Sequence, residues 1–457
     1  MNKAPVVPRH EERLWGHPKG LIFLAMTEMW ERFSFYGMRA LLVLYMVQEL
    51  LLPGRIENVA GMGAYRSVVE SIFGELSTQA FASQTFGLYA GFVYFTPLFG
   101  GLLADRWLGA KRVVMIGIAL MTLGHFAMAF DVSFLLALLL LVLGSGCLKG
   151  NIAAQVGHLY ERHEETLRSK GYAIFSTGIN VGATIGPLVC GLLAQVYGWH
   201  IGFGAAGLFM LVAAVVYFTG LKYFAEDRAV APVGESLPPL TASEWKMIAL
   251  VVCVLLITMC QSFAYEQLWN VGLLWVNERV DLTIGTLTVP TPWFASEDSF
   301  ASVVALPLLL VIWAWQGRRG GEPGDLAKIA TGAIIMACSS AMLAIGALSA
   351  PDGKVSILFP LVAYFLSGIA FMYQWPTALA LVSRRAPKKI NALMMAGAYL
   401  TLFVVGVGTG YIARFYEPLG DVAFWTLQAG ISATGALLVL FLGGAIKRRM
   451  DALEDLG

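Results

Sequence analysis

This chain is poor in charge. Asp, Glu, Lys and Arg make up 13% of its 457 residues, about half of the ~25% usual in a soluble globular domain. So little charge excludes an ordinary water-facing surface. The formal net charge of +1 gives no reason to expect nucleic acid as a partner. Cysteine is sparse as well: Cys147, Cys190, Cys253, Cys260 and Cys338 all fall in apolar stretches, with no CxxC or histidine-paired spacing. That pattern argues against a disulfide framework or a metal-ligand cluster and marks them as small core residues. No cofactor or metal is expected, and no nucleophile, base and orienter set marks a membrane enzyme. Met1 to Lys19 is polar and basic and lacks the apolar core of a cleavable signal, so the first apolar run is expected to target the chain.

What the chain has in quantity is apolar sequence, 58% of its residues. About 20 such residues in a row cross ~30 Å of hydrocarbon. Twelve such runs are present, at about 20–51, 83–104, 112–131, 133–157, 171–197, 201–221, 245–277, 298–316, 327–349, 355–382, 391–415 and 421–446. An even number returns both termini to one side, and the basic residues say which. With the N-terminus cytoplasmic, 23 of the 31 Lys and Arg residues fall in the tails and even-numbered connections. Five lie on the opposite side (Arg55, Arg66, Arg279, Lys354, Arg414), and Arg32, Arg39 and Lys149 remain within the membrane. The polar, proline-containing stretch Ala225 to Ala242 reads as a linker. The expected fold is all-α and membrane-integral: a six-helix bundle over 1–222, a cytoplasmic linker over 223–243 and a second six-helix bundle over 244–457. This is the 6+6 parallel-repeat plan of major facilitator transporters.

The connection between runs two and three, Gly101-Leu-Leu-Ala-Asp105-Arg106-Trp-Leu-Gly109-Ala-Lys111-Arg112, resembles the facilitator cytoplasmic motif GxLaDrxGrk. Its glycines allow close helix approach, and Asp105 is placed to bond to a neighbouring helix end. An ordinary basic loop accounts for Arg106, Lys111 and Arg112 but not for the glycine spacing with an acid at a helix end. Asp105, Arg106 and Gly109 therefore read as a structural motif.

The first run also carries Glu28, Glu31, Arg32 and Arg39. A charged side chain at the centre of a membrane helix costs roughly 2.5–3.5 kcal/mol even on insertion scales, so four of them demand partners or water. At about 100° per residue, Glu28, Glu31, Arg32, Tyr36 and Arg39 share an arc of about 140°. One face of this helix is polar, and intramembrane ionisable groups nearly always face the bundle interior. A static Glu28–Arg32 pair at i,i+4 leaves Arg39 and the lysine of run four unexplained. That lysine, Lys149 in Gly144-Ser-Gly146-Cys-Leu-Lys149-Gly150-Asn151, needs an acidic partner. Glu266 lies within run seven, and Glu297 and Asp298 are expected to open run eight. Arg32, Arg39 and Lys149 set against Glu28, Glu31, Glu266 and Asp298 leave a surplus of one carboxylate, which one bound proton neutralises. That balance points to a proton-coupled carrier.

Glu28-Met-Trp-Glu31-Arg32-Phe-Ser-Phe-Tyr36-Gly37 resembles the ExxERFxYYG signature of the proton-dependent oligopeptide transporters, and Phe175-Ser-Thr-Gly-Ile-Asn180-Val-Gly182-Ala resembles that family's helix-five signature. Tyr94, Lys149, the Tyr265-Glu266-Gln267 triplet and Leu393-Met-Met395 fall in family order, so the resemblance runs from helix one to helix eleven. It implies proton coupling through Glu28, Glu31, Arg32 and Lys149. It also implies a substrate site that includes Arg32, Tyr36, Arg39, Tyr94, Lys149, Asn180 and Gln267, with Arg39 and Glu266 as a gate. The partners it implies are a small peptide or peptide-like solute, protons and membrane lipid, and the location is a cell inner or plasma membrane with both termini cytoplasmic.

The departures from the family pattern concentrate in the pocket. The family's helix-ten glutamate, five residues before a proline, falls at Phe371 before Pro376. Ser262 stands where a tryptophan is usual, Ser176 where an aromatic follows Phe175, and Gly150 where a proline follows the lysine. Two extra helices that many bacterial members carry between the halves are missing. Asp298, where the family commonly has Asn, either replaces the lost carboxylate as a gating and amine-facing group or caps the start of helix eight. Tyr373, Gln374 and Trp375 either contact substrate or pack against neighbouring helices. His125 and His158 lie off the charged face and read as structural.

Overall fold

The computed structural model describes residues 12–161, 163–226 and 239–454. The N-terminal residues 1–11 and most of the expected linker, 227–238, lie outside the described residues. With no water in hydrocarbon, a chain must satisfy its backbone N–H and C=O groups within each segment, and the apolar runs are accordingly helices. In order they are α1 (Gly20–Tyr45), α2 (Met62–Phe73), α3 (Thr78–Phe95), α4 (Pro97–Leu103), α5 (Ala110–Ala127), α6 (Phe134–His158), α7 (Glu165–Tyr197), α8 (Trp199–Gly220), α9 (Ala242–Gln267), α10 (Leu273–Arg279), α11 (Trp293–Arg319), α12 (Asp325–Ser349), α13 (Leu358–Arg385), α14 (Asn391–Ala413) and α15 (Tyr416–Glu454). Among the described residues, eleven helical segments are long and apolar enough to cross a membrane. The twelfth of the expected runs is α1, set apart by its four charges.

By contacts the described residues form two compact units, 12–65 with 95–226 and 66–94 with 239–454. In the first, α1 packs against α7 and α8, α5 against α6 and α8, and α4 against α6. Ahead of α1, Arg13–Leu14 and His17–Pro18 pair as an antiparallel hairpin. The hairpin is fastened by His17 to the Tyr160 hydroxyl at 2.8 Å and by Arg13 to Glu164. The bond donated by Arg13 holds the Glu164 carboxyl below its usual range. In the second unit α12 packs against α13 and α15, α11 against α13, and α9 against α14 and α15. There α9 opens with a capping box: Thr241 Oγ1 accepts from the Glu244 backbone N–H at 3.2 Å, and Glu244 Oε2 accepts from the Thr241 N–H at 2.7 Å. Glu244 also meets Lys389 Nζ at 3.1 Å, which ties the start of α9 to the segment ahead of α14.

Four helices, α3, α7, α11 and α15, start five or six residues ahead of the expected apolar runs. Whereas α11 was expected to begin at Glu297 and Asp298, it begins at Trp293 behind Pro292, so both acids lie inside the helix and neither opens it. Likewise α3 begins at Thr78, with Gln79, Ser83 and Gln84 all buried. Their amide nitrogens are bonded: Gln79 donates to Ser83 Oγ at 2.8 Å and Gln84 to the Val407 carbonyl at 3.3 Å, while Asn270 donates to the Ser83 carbonyl at 3.3 Å. A polar group that donates a hydrogen bond across helices is tolerated inside the bilayer, and a hydropathy run cannot see the partner.

Candidate functional site

Glycine spacing decides how α1 is held. Gly178, Gly182 and Gly186 recur every four residues on α7 and form the surface against which α1 lies. A Cβ at Gly178 would stand 2.8 Å from the Ala25 carbonyl oxygen, at Gly182 2.1 Å from that of Met29, and at Gly186 2.4 Å from that of Phe33. Gly182 and its neighbours in the helix-five signature thus set the backbone of the helix that carries the charges.

The charged face of α1 is buried: Glu28 is 3% exposed, Glu31 0%, Arg32 6% and Arg39 3%. Arg32 Nε donates to Glu28 Oε1 at 2.8 Å and also lies 2.7 Å from Glu31 Oε2. Only the Glu28 contact has hydrogen-bond geometry, and among the described residues neither oxygen of Glu31 has a hydrogen-bond partner. Lys149 of α6 places Nζ over the Phe35 ring, 4.5 Å from its centroid. The charges of Glu28, Arg32 and Lys149 all act on Glu31, and those of Arg32, Glu31, Arg39 and Glu28 act on Lys149. Glu28, Glu31, Arg32, Arg39 and Lys149 therefore form one electrostatic cluster. Tyr36 sets its ring edge-on to Phe35 at 5.1 Å, and Asn180 sits half-buried on α7 between Gly178 and Gly182.

Lys149 is carried by a tightly packed stretch of α6. A Cβ at Gly146 would meet Thr96 at 2.6 Å, and one at Gly100 would stand 2.1 Å from the Gly146 carbonyl oxygen. Asn151 Nδ2 donates to the Gly100 carbonyl at 3.1 Å and to that of Cys147 at 2.8 Å. Gly150, in contrast, has nothing within 4 Å. In the GxLaD motif the close approach belongs to Gly100, since Gly101 has no neighbour within 4 Å. Asp105 and Arg106 are exposed on a π-helical turn, Ala104–Leu108, and Asp105 makes no hydrogen bond or ion pair among the described residues. Gly109 ends that turn at φ 78°, ψ 155°, in the region that excludes a side chain. Gly109→Ala is expected to destabilise the protein by roughly 1–2 kcal/mol, read as a lowered melting temperature in detergent.

The second unit holds the other group of expected residues. Asp298, 2% exposed, accepts from the Tyr265 hydroxyl at Oδ2 and from Ser367 Oγ at Oδ1, each at 2.7 Å. It caps no helix: it lies within α11 and bonds to α9 and α13. The register is set by Gly368, where a Cβ would stand 2.4 Å from the Asp298 carbonyl oxygen, bringing Ser367 onto the carboxylate. One turn along α13, Phe371 stacks on the Tyr265 ring with centroids 5.3 Å apart and planes at 26°. The position that lacks the helix-ten glutamate is therefore one aromatic ring away from a buried carboxylate.

Glu266 is buried beside Tyr265, and Gln267 donates to the Thr409 carbonyl at 2.9 Å. Gln374 donates to the Thr258 carbonyl at 2.6 Å and to Ser262 Oγ at 3.1 Å, so the small Ser262 makes room for an amide bond. Trp375 packs edge-on to Tyr399 of α14 at 5.5 Å, and Tyr373 edge-on to Trp313 of α11 at 5.5 Å. Tyr94 is half-buried near the end of α3. His125 is fully buried, with no hydrogen-bond partner for either ring nitrogen among the described residues. Phe35, Ser367 and Gly368 were not singled out from sequence. Phe35 stands at the first tyrosine of the ExxERFxYYG signature, the one signal that marks it.

Residues 33–411 match the Major Facilitator Superfamily. The chain belongs to that superfamily. Among its superfamily relatives, the Peptide transporter YePEPT of Yersinia enterocolitica subsp. palearctica is 28% identical over 94% of each chain. The Di-/tripeptide transporter of Lactococcus lactis subsp. cremoris is 26% identical, over 96% of this chain and 98% of that one. Among solved structures, a peptide transporter POT in complex with sulfate superimposes with a TM-score of 0.84 at 25% identity, covering 97% of this chain and 98% of that one. Within the superfamily this facilitator is a member of the proton-dependent oligopeptide transporters.

Proposed function

We propose that this protein is a proton-coupled symporter that imports di- and tripeptides or peptide-like solutes by alternating access. The observation that carries the proposal is the buried Glu28/Glu31/Arg32 cluster, electrostatically tied to Lys149, in a chain similar over nearly its whole length to peptide transporters. Glu31 is the proposed proton site. It is fully buried, rests on Arg32 alone for direct contact, and receives no hydrogen bond among the described residues. Arg32, Arg39 and Lys149 are the cations proposed to attract the solute carboxylate. Tyr36, Tyr94, Asn180, Gln267, Phe371 and Trp375 complete the proposed substrate site, and Arg39, Glu266 and Asp298 the proposed gate. Location in a cell inner or plasma membrane, cytoplasmic termini, and bundles over 1–222 and 244–457 joined by 223–243 belong to the same reading. Proton-driven uptake of dialanine and trialanine into proteoliposomes tests it. Accumulation against a gradient supports it, and failure to take up any short peptide contradicts it.

A second reading concerns the solute's amino end. With Phe371 in place of an acid, a ligand without a free amine, such as a modified peptide or an amino-acid conjugate, fits the stacked Phe371–Tyr265 wall. Asp298 behind that wall favours a free amine instead, because its two oxygens are already oriented by Tyr265 and Ser367. Losing a charge-assisted partner costs about 1.5–3 kcal/mol, so Asp298→Asn is expected to lower dialanine uptake roughly 10- to 100-fold. N-acetyl-dialanine uptake should be unchanged if the carboxylate serves the amine. If both substrates fall equally, Asp298 acts through the helices it joins rather than on the amine.

A further inference from the structure

Phe35 is a neutral ring with two cations close to it. It is 2% exposed and lies three residues after Arg32 on α1. Lys149 Nζ stands 4.5 Å from its centroid, and the Arg32 guanidinium carbon 5.6 Å. Tyr36 closes its edge at 5.1 Å, with the two planes at 86°. The face of a benzene ring carries negative electrostatic potential and attracts cations, most strongly where water is excluded. Arg32 is fixed by the Glu28 and Glu31 carboxylates on its own helix. Lys149 comes from α6 on a flexible four-carbon stem, and a carboxylate alone gives an ammonium little directional preference. The ring gives the ammonium a directional contact on α1.

Resting on the proton-coupled reading above, we infer that Phe35 is a positioning residue of the coupling cluster, which holds the Lys149 ammonium in register with Glu31. The charges that act on the Lys149 ammonium are those of Glu28, Glu31, Arg32 and Arg39 of α1. Phe35 makes no proton transfer itself. Its effect runs through where the lysine charge sits, so the aromatic face is required and apolar bulk is insufficient.

The test compares Phe35→Leu, which keeps apolar volume, with Phe35→Tyr, which keeps the face. Both are checked for monodispersity and melting temperature, then reconstituted in proteoliposomes with dialanine. Phe35→Leu is expected to lower proton-driven uptake about tenfold and to displace its pH profile. Phe35→Tyr is expected to behave as wild type. A second readout does not depend on any transported solute: the pH at which the resonance of reductively 13C-methylated Lys149, assigned with Lys149→Arg, titrates should be the same in wild type and Phe35→Tyr and displaced in Phe35→Leu. That displacement in a protein that moves no peptide would support the positioning role and overturn the transport reading alone. A Phe35→Leu protein with a wild-type lysine titration, or with wild-type uptake and pH profile, overturns the inference. So does equal impairment of the Leu and Tyr variants.

Discussion

Glu31→Gln is expected to abolish accumulation of dialanine driven by a proton gradient, while leaving the protein folded and peptide exchange at equal pH measurable. The substitution keeps the side chain's size and removes only its charge and its capacity to take a proton. In the native cluster Arg32 divides its charge between Glu28, at 2.8 Å, and Glu31, at 2.7 Å, and Lys149 feels both acids. With Gln at this position Glu28 is left as the only carboxylate on this helix face against Arg32, Arg39 and Lys149. Removing one member of a buried ionic set typically costs about 3–5 kcal/mol, so the conformational equilibrium that a proton normally biases shifts by roughly two to four orders of magnitude. Lys149→Ala, from the opposite pole of the cluster, should be as severe for uptake. It should also weaken binding of carboxylate-bearing solutes, because it removes a cation from the proposed substrate site. Uptake in proteoliposomes with and without a pH gradient, beside binding by calorimetry, separates the two variants: Glu31→Gln retains peptide binding, and Lys149→Ala loses it.

The second large effect is structural. Gly182→Ala places a methyl group 2.1 Å from the Met29 carbonyl oxygen, 2.9 Å from the Phe33 nitrogen and 3.0 Å from Arg32 Cβ. Two of these three are backbone atoms of α1, so no side-chain rotation relieves the clash and the helices must separate. Overpacking of a well-filled interface costs about 1–3 kcal/mol, and here the displaced helix carries the whole charge cluster. Misplacement by about 1 Å at a functional site can cost ~100-fold in rate. The expected result is a lower melting temperature together with loss of transport beyond what reduced stability explains. Gly150→Ala is the matched control. It lies next to Lys149 yet has nothing within 4 Å, so stability and uptake should stay near wild type. If Gly182→Ala were tolerated as well as Gly150→Ala, the packing of α7 on α1 described above would be wrong.

Much of the molecule was legible in the sequence because hydrocarbon permits few solutions. Runs long enough to cross the membrane had to be helices, and the helix-one charges had to be brought together, as the Arg32 contacts to Glu28 and Glu31 now show. What escaped was everything that depends on a neighbour. Asp298 read as a possible helix cap because an isolated acid looks like an end. Its bonds from Tyr265 and Ser367 are what allow it to sit inside α11. Gln79 left the start of α3 outside the expected run for the same reason. Gly101 drew attention by its place in a motif, whereas the close contact is made one residue earlier, at Gly100. Phe35 looked like ordinary apolar filling until Lys149 was found over its face. Hydropathy assigns each residue its own transfer energy, and these assignments turn on pairs.

The central claim, that the buried acid of α1 carries the proton that moves with the solute, is tested most directly by recording lumenal pH in proteoliposomes as dialanine is added outside. The account predicts peptide-dependent acidification of the lumen by the wild-type protein, and none by Glu31→Gln at peptide concentrations that saturate binding. Dialanine accumulation without acidification, or acidification that persists unchanged in Glu31→Gln, would contradict it.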